Sequence, residues 1–389
     1  MLQVELYDLR PFLPLPYEAA LAPRLDRAQG RVDASRWLVR DLEALQTAAA
    51  RLRPAGGALA VVGGGAARAL VRCLAPGEGV YFPEPSAGSA EALLAETAGR
   101  PVALFAAGGL EDPLDRALLR RLTSALTRRD GKPPQAAAAL PEGRPLPPEA
   151  RDWTVLPAPE GPFRALTAEG LLPLAAAGGD AAAVLRGASA MLSRCREASY
   201  ENPAWRYAAV RYELYRRGWT VEVLSSADPS LSGVLAWRRD LSAGCEGQDN
   251  KGLLPAVLDA AASPDGLPQY LLTGRRLLFE TALRLGQAPR DPALPPEEDL
   301  DFLRDRAQEA LLLARTRAGV PCLRIDAAPE DGTPSARAEA LGALLAFFQC
   351  ACALTAGLLD VDPQTRAHPL SGLTASLTGP RPALCGEKM

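Results

Sequence analysis

Short apolar runs alternate along the chain with longer stretches of helical spacing. Ala58-Leu59-Ala60-Val61-Val62 holds no polar residue, the pattern of a strand buried on both faces of a parallel sheet. Val102 to Phe105 repeats it, Trp153 to Leu156, Trp219 to Leu224 and Pro321 to Ile325 read as further strands with one or two polar residues each, and Phe279 lies in a further apolar stretch. Between these runs the spacing predicts helices: from an N-cap in Asp33-Ala34-Ser35 to about Arg53, from Ala66 to about Leu74, from Pro113 to Arg129, from Thr167 to Cys195 with a break at Gly178-Gly179, and from Asp299 to Arg317. Asn202 followed by Pro203 is a helix start, and Gly218 after Arg216-Arg217 is a stop. Residues 131–150 and 286–298, rich in Pro, Ala and Gly, read as loops. Strands alternating with helices predict an α/β protein with two parallel sheets, each flanked by helices in three layers.

The expected division is an N-terminal helical cover over 1–56, a first α/β unit over 57–165, connecting helices over 166–200, a second α/β unit over 201–380 and a loose tail over 381–389. A chain of 389 residues has room for two such cores. Leu341 to Leu359 is apolar and uncharged. Gln349 and Thr355 interrupt it, Asp360 and Asp362 follow it, and its small residues (Gly342, Ala343, Ala346) suit a helix packed inside protein rather than a membrane span. The balance of 43 basic and 46 acidic residues, without a basic stripe, excludes a nucleic-acid partner. Seven scattered cysteines with no Cys-x-x-Cys, and His368 alone, offer no zinc site and fit free thiols in a reducing cytoplasm. The acidic start, Met-Leu-Gln-Val-Glu-Leu-Tyr-Asp, is unlike a signal peptide. No cofactor or metal is expected.

Gly63-Gly64-Gly65 follows the first buried strand and opens a helix. Glycine lets a backbone approach a phosphate, and a helix N-terminus supplies unpaired N–H groups. The same three glycines could equally form a plain tight turn, and neither a dinucleotide fingerprint nor a Walker loop is present.

Several stretches occur in an order that carries more information. They are Gly63 to Ala66, Leu166-Thr167-Ala168-Glu169-Gly170-Leu171-Leu172-Pro173, Asn202 to Gly218, Gly244-Cys245-Glu246-Gly247 with Lys251-Gly252, Gln269-Tyr270 with Gly274-Arg275-Arg276, Phe347-Phe348-Gln349-Cys350, and Val361-Asp362-Pro363. Together they resemble the bacterial glucose-6-phosphate isomerase family, over about residues 56 to 380. The resemblance implies two sugar-isomerase-type subdomains, a sugar-phosphate ligand, a homodimer and aldose–ketose isomerisation in glycolysis and gluconeogenesis. That chemistry needs a carboxylate base, a positive group near the developing oxyanion, a ring-opening acid/base pair and a hydroxyl-rich phosphate loop.

Position by position, the family's base falls on Gly244, its ring-opening histidine on Asp265, its Gly-Gly-Arg-Phe arginine on Pro162 and its C-terminal lysine near Leu373. Its Ser-Lys-Ser-Gly-Thr-Thr phosphate loop falls on Phe105-Ala106-Ala107-Gly108-Gly109-Leu110, and Ala66 replaces a serine. A shifted register would make Glu246 the base, Arg164 or Arg275 its electrostatic partner, and Gly64, Gly65 and Gly108 the phosphate cradle. The bland alternatives are a solvated Glu246, an exposed loop His368, and arginines and Lys251 that hold loop backbone. The functional readings are therefore an isomerase of reduced or lost activity, a non-catalytic protein that binds a sugar phosphate or pairs with an active isomerase, and a dimerising structural scaffold without a ligand.

Overall fold

The computed structural model describes residues 2–364 apart from positions 8, 15, 54–55, 76–78, 108–109, 111, 142, 144–149, 260–265 and 287–290. In chain order the N-terminal part gives β1 (Leu2–Tyr7), α1 (Tyr17–Gln29) and α2 (Leu42–Leu52). The first unit follows with β2 (Ala58–Val62), α3 (Gly65–Leu74), β3 (Val80–Tyr81), α4 (Ala87–Glu96), β4 (Val102–Ala106), α5 (Pro113–Asp130), β5 (Ala136–Leu140) and β6 (Thr154–Pro157). Two helices, α6 (Ala168–Ala176) and α7 (Ala181–Arg194), lead to the second unit. It comprises α8 (Pro203–Arg216), β7 (Val221–Ser226), α9 (Ser232–Glu246), β8 (Leu254–Asp259), α10 (Leu267–Thr273), β9 (Leu278–Arg284), α11 (Leu300–Arg317), β10 (Cys322–Ala327) and α12 (Pro334–Leu359).

The first sheet has the order β3-β2-β4-β5-β6 and is parallel throughout. The second has the order β1-β10-β9-β7-β8, and its core strands are parallel. The fold is thus the expected α/β arrangement of parallel sheets flanked by helices. One strand departs from it: β1 pairs antiparallel with β10, from Leu2 opposite Ala327 to Tyr7 opposite Cys322. The segment expected to begin a helical cover therefore begins as the edge strand of the distant sheet. Two other expectations also change. The loop over 131–150 contains β5, whose Ala137, Ala138 and Ala139 are wholly buried. The helix expected to start near Asp33 starts at Leu42, because Asp33 is used in a local turn to Ser35 while Asp41 accepts from the Ala44 N–H at 2.8 Å.

Asn202 caps α8 as expected, its Oδ1 accepting from Ala204 N at 2.9 Å and Trp205 N at 3.3 Å. α12 is the one described helix long and apolar enough to cross a membrane, and 89% of its most apolar window is buried in protein. Glycine makes this packing possible. A Cβ on Gly342 would sit 1.9 Å from the Val184 carbonyl oxygen, and one on Gly187 would sit 1.9 Å from that of Glu339, so α7 and α12 cross with their backbones in contact. The two units meet through α3 and α9, where a Cβ on Gly233 would lie 2.9 Å from Ala69 Cα. All six described cysteines are free and buried.

Candidate functional site

In the first sheet the chain passes from β2 to β3 on one side and then to β4 on the other. The carboxyl ends of β2 and β4 are thus a switch point, where ligands of open parallel sheets usually bind in a crevice. Gly63-Gly64-Gly65 fills one wall of it. Gly63 and Gly64 have φ of 77° and 70°, which side-chain-bearing residues rarely adopt. A Cβ on Gly64 would also lie 2.4 Å from Ala107 Cβ on the opposite wall, where the Ala107 N–H donates to the Val62 carbonyl at 2.9 Å. Gly65 starts α3, and a Cβ there would meet nothing within 4 Å. The crevice therefore offers a helix N-terminus with open room in front of it. The residues next to the turn and at the end of β4, Ala66, Ala67, Ala106 and Ala107, carry only buried methyl groups. Gly108, with Asp265, His368 and Leu373, lies outside the described residues.

Glu246 does not face this crevice as a free carboxylate. It ends α9 with 0% exposure, in a cluster with Arg211, Glu222 and Arg238, all equally buried. Arg211 Nη1 donates to Glu246 Oε1 and Nη2 to Oε2, both at 2.9 Å. Arg211 Nε donates to Glu222 Oε2 at 3.0 Å, and Thr355 and Ser242 hydroxyls complete its fork at 2.9 and 3.2 Å. Tyr207 and Thr281 hydroxyls donate to Glu222 Oε1. Arg238 lies over the Phe348 ring, 5.1 Å from its centroid, with Nη2 3.9 Å from Glu222. Burial alone would lower the Arg211 pKa, but the Glu222 and Glu246 carboxylates outweigh it and hold the guanidinium well above its ordinary value. Burial would likewise raise Glu222, yet Arg211 and Arg238 hold it below its usual range. The four charges are formally balanced.

The other expected site residues are not brought to Glu246. Arg164 Nε lies 3.0 Å from Glu169 Oε2, both largely buried at the start of α6. Arg275 is exposed before β9, and its neighbour Arg276 donates to the Leu271 and Leu272 carbonyls at 3.2 and 2.9 Å, closing the end of α10. Lys251 Nζ lies 3.5 Å from the Asp360 carbonyl, a backbone tie between the loop after α9 and the end of α12. Gly244, one residue before Cys245 on α9, has no side chain to offer.

Sequence reasoning missed a second polar crevice, beyond the ends of β7 and β9. A cavity of about 270 Å³ lies there, lined in part by Ser226, Asp228, Arg284, Arg304, Gln308 and Arg337. The available signal was Ser225-Ser226-Ala227-Asp228-Pro229-Ser230, a hydroxyl-rich run directly after an apolar strand.

No protein-family model matches the chain. It is 34% identical over 232 residues to a glucose-6-phosphate isomerase of Streptococcus thermophilus, a match covering 55% of this chain and 50% of the relative. It is 38% identical over 216 residues to a glucose-6-phosphate isomerase of Exiguobacterium sibiricum, covering 52% and 47%. The chain thus spans about half the length of the curated relatives it matches. Among solved structures, a hypothetical protein of Thermus thermophilus superposes with a TM-score of 0.77 at 20% identity, covering 97% of this chain and 100% of that one. A glucose-6-phosphate isomerase of Chlamydia trachomatis gives 0.67 at 14% identity, covering 92% and 74%.

Proposed function

Because the chain is a divergent member of the glucose-6-phosphate isomerase family, we propose that it keeps a phosphosugar-binding crevice at Gly63-Gly64-Gly65 but does not interconvert glucose 6-phosphate and fructose 6-phosphate. One observation carries this reading. The carboxylate left near the base position, Glu246, is fully buried with both oxygens taken by Arg211, and Gly244 stands at the base position itself. A general base must come within hydrogen-bond reach of the proton it removes. Glu246 instead belongs to the internal salt network. Loss of several groups that act as a unit costs many orders of magnitude in rate.

The N-terminus of α3 remains a place where a phosphoryl group gains favourable N–H contacts, and Gly65 leaves space for it. Arg164 then acts in the fold, paired with Glu169, and Arg275 is an exposed residue beyond α10. A cytoplasmic homodimer belongs to the same reading.

The test is a coupled assay with purified protein, in which glucose 6-phosphate formed from fructose 6-phosphate is oxidised by its dehydrogenase. The expected result is no turnover above the blank, together with a rise in melting temperature on adding either sugar phosphate. Turnover at an ordinary enzymatic rate, about 1–10³ s⁻¹, overturns the proposal. Absence of any thermal shift removes the binding half of it.

A further inference from the structure

α11 lies on the second sheet through Leu312, which is wholly buried beside Val320 and Cys322. A helix on the surface of a globular protein ordinarily turns charged and polar residues to solvent. α11 does the reverse. Leu300, Leu303 and Leu313 are 71%, 39% and 44% exposed, and Ala307, Ala310 and Ala314 are exposed with them. At about 100° per residue these six fall within one arc of about 140°. After Asp301 the only exposed charges on the helix are Arg306 and Arg317, while Asp305 and Glu309 are half-buried on its flanks. Of the nine large apolar residues exposed among the described ones, four fall between Leu294 and Leu313, so the patch is local to this element.

The two ends of α11 carry unlike charges that the chain leaves unpaired. Glu297 and Glu298, exposed just before the helix, have no ion pair or side-chain hydrogen bond. At the other end Arg317 is exposed and equally unpaired. So is Arg275, whose neighbour Arg276 donates to the Ala318 carbonyl at 2.6 Å. The helix has 18 residues and is about 27 Å long. Its midpoint falls between Ala307 and Ala310, where small side chains allow two helices to approach closely. A second copy turned about a two-fold axis through that midpoint runs antiparallel to the first. Ala307 then faces Ala310, Leu303 faces Ala314, and Leu300 meets the aliphatic stem of Arg317. The same operation brings each acidic end to the other copy's basic end. A partner of a single charge sign would match only one of the two. The face with its charged ends buries on the order of 1,000 Å² in total, the lower limit for a specific interface, which implies a dimer of micromolar strength.

We propose that the outward face of α11 is an interface with a second copy of this chain, in which the two α11 helices pack antiparallel about a two-fold axis. It gives a face to the homodimer of the proposed function and does not depend on sugar-phosphate binding at the glycine turn. The test is sedimentation equilibrium on the full chain from about 1 to 200 µM. The expected result is a monomer–dimer equilibrium with a Kd of about 10 µM. Ala310→Glu sets a carboxylate of each copy at the seam and should weaken the dimer about a hundredfold. At about 1 µM, where the wild type is mostly monomeric, this variant should melt within about 2 °C of it, since Ala310 is exposed. Arg317→Glu should weaken the dimer about tenfold, and adding Glu298→Arg to it should restore the affinity to within about threefold, because the reversed charges meet again across the axis. A dimer indifferent to both Ala310→Glu and Arg317→Glu, or a loss in Arg317→Glu that Glu298→Arg does not reverse, overturns this face and leaves the homodimer standing. A monomer at about 200 µM overturns both, while the thermal shift with sugar phosphates still decides the glycine turn separately.

Discussion

Glu246→Gln removes one negative charge from a cluster of two arginines and two glutamates, all wholly excluded from solvent. The replacement keeps the shape and one acceptor oxygen, so it makes no cavity. It does leave the second unit's core with one uncompensated positive charge. Two unit charges about 4 Å apart interact by about 4 kcal/mol at an effective dielectric of about 20. Removing one partner of a buried pair costs about 3–5 kcal/mol. Glu222, still bonded to Arg211 through Nε at 3.0 Å, offsets part of the loss, which puts the expected cost near the lower end, about 3 kcal/mol. For a unit of this size each kcal/mol lowers the melting temperature by about 2–4 °C, so a drop of about 6–12 °C is expected.

The assay pairs circular-dichroism melting with the coupled isomerase assay on the same preparations. The structure predicts a large thermal loss and no activity in either protein. An unchanged midpoint together with loss of a wild-type turnover would refute the reasoning, since it would make Glu246 a base whose pairing with Arg211 contributes little to the fold.

The glycine turn gives a paired test: Gly64→Ala forces a Cβ to within 2.4 Å of Ala107 at a φ of 70° and should cost about 2 kcal/mol in urea unfolding, whereas Gly65→Ala, with nothing within 4 Å, should be neutral or stabilise by up to about 1 kcal/mol. Gly342→Ala sets a Cβ 1.9 Å from the Val184 carbonyl, which only movement of α7 can relieve, so it should cost about 3 kcal/mol or more on the same assay. For pH, Glu222 in the folded protein lies below its usual value of 4.5, burial being outweighed by Arg211 and Arg238. The unfolded chain therefore takes up that proton first, so the stabilisation is fully present above about pH 4.5 and is lost as pH falls through the folded-state pKa. Urea midpoints measured downward from pH 7 should be flat at first and then fall, and the fall should shrink in Glu222→Gln.

The alternation of apolar runs and helical stretches was enough to read two parallel sheets, because strands such as Ala58–Val62 are buried on both faces and carry their own signal. β5 was not legible. Ala136 to Leu140 has no β-branched or aromatic residue, and only the neighbours on either side, β4 and β6, make a strand of it. β1 was not legible for a different reason. Its pairing with β10 joins residues more than 300 positions apart, and nothing local to Leu2–Tyr7 announces the partner. The second crevice was hidden because part of its lining comes from α11, far in sequence from the serine run that also lines it.

Family resemblance and chemistry were legible to different degrees, and the cluster around Arg211 explains why. The stretches that carried the resemblance are largely architectural here. Asn202 caps α8, Arg211 bonds both Glu222 and Glu246, Phe348 supports Arg238, and Lys251 ties a loop to the end of α12. A residue in such a network is fixed by every partner at once, since removing one strands the others without compensation in a low dielectric. A side chain that only touches a ligand has no such internal partners. Its replacement by Gly, Ala or Pro leaves the fold unchanged, which is what the resemblance implies at Gly244, Ala66 and Pro162. Glu246 is the residue where the two kinds of constraint meet. It stands two positions from the family's base and is an acid, so sequence alone favoured chemistry. Both its oxygens accept from Arg211, and on the function proposed above these bonds engage the carboxylate in the fold instead of with a substrate.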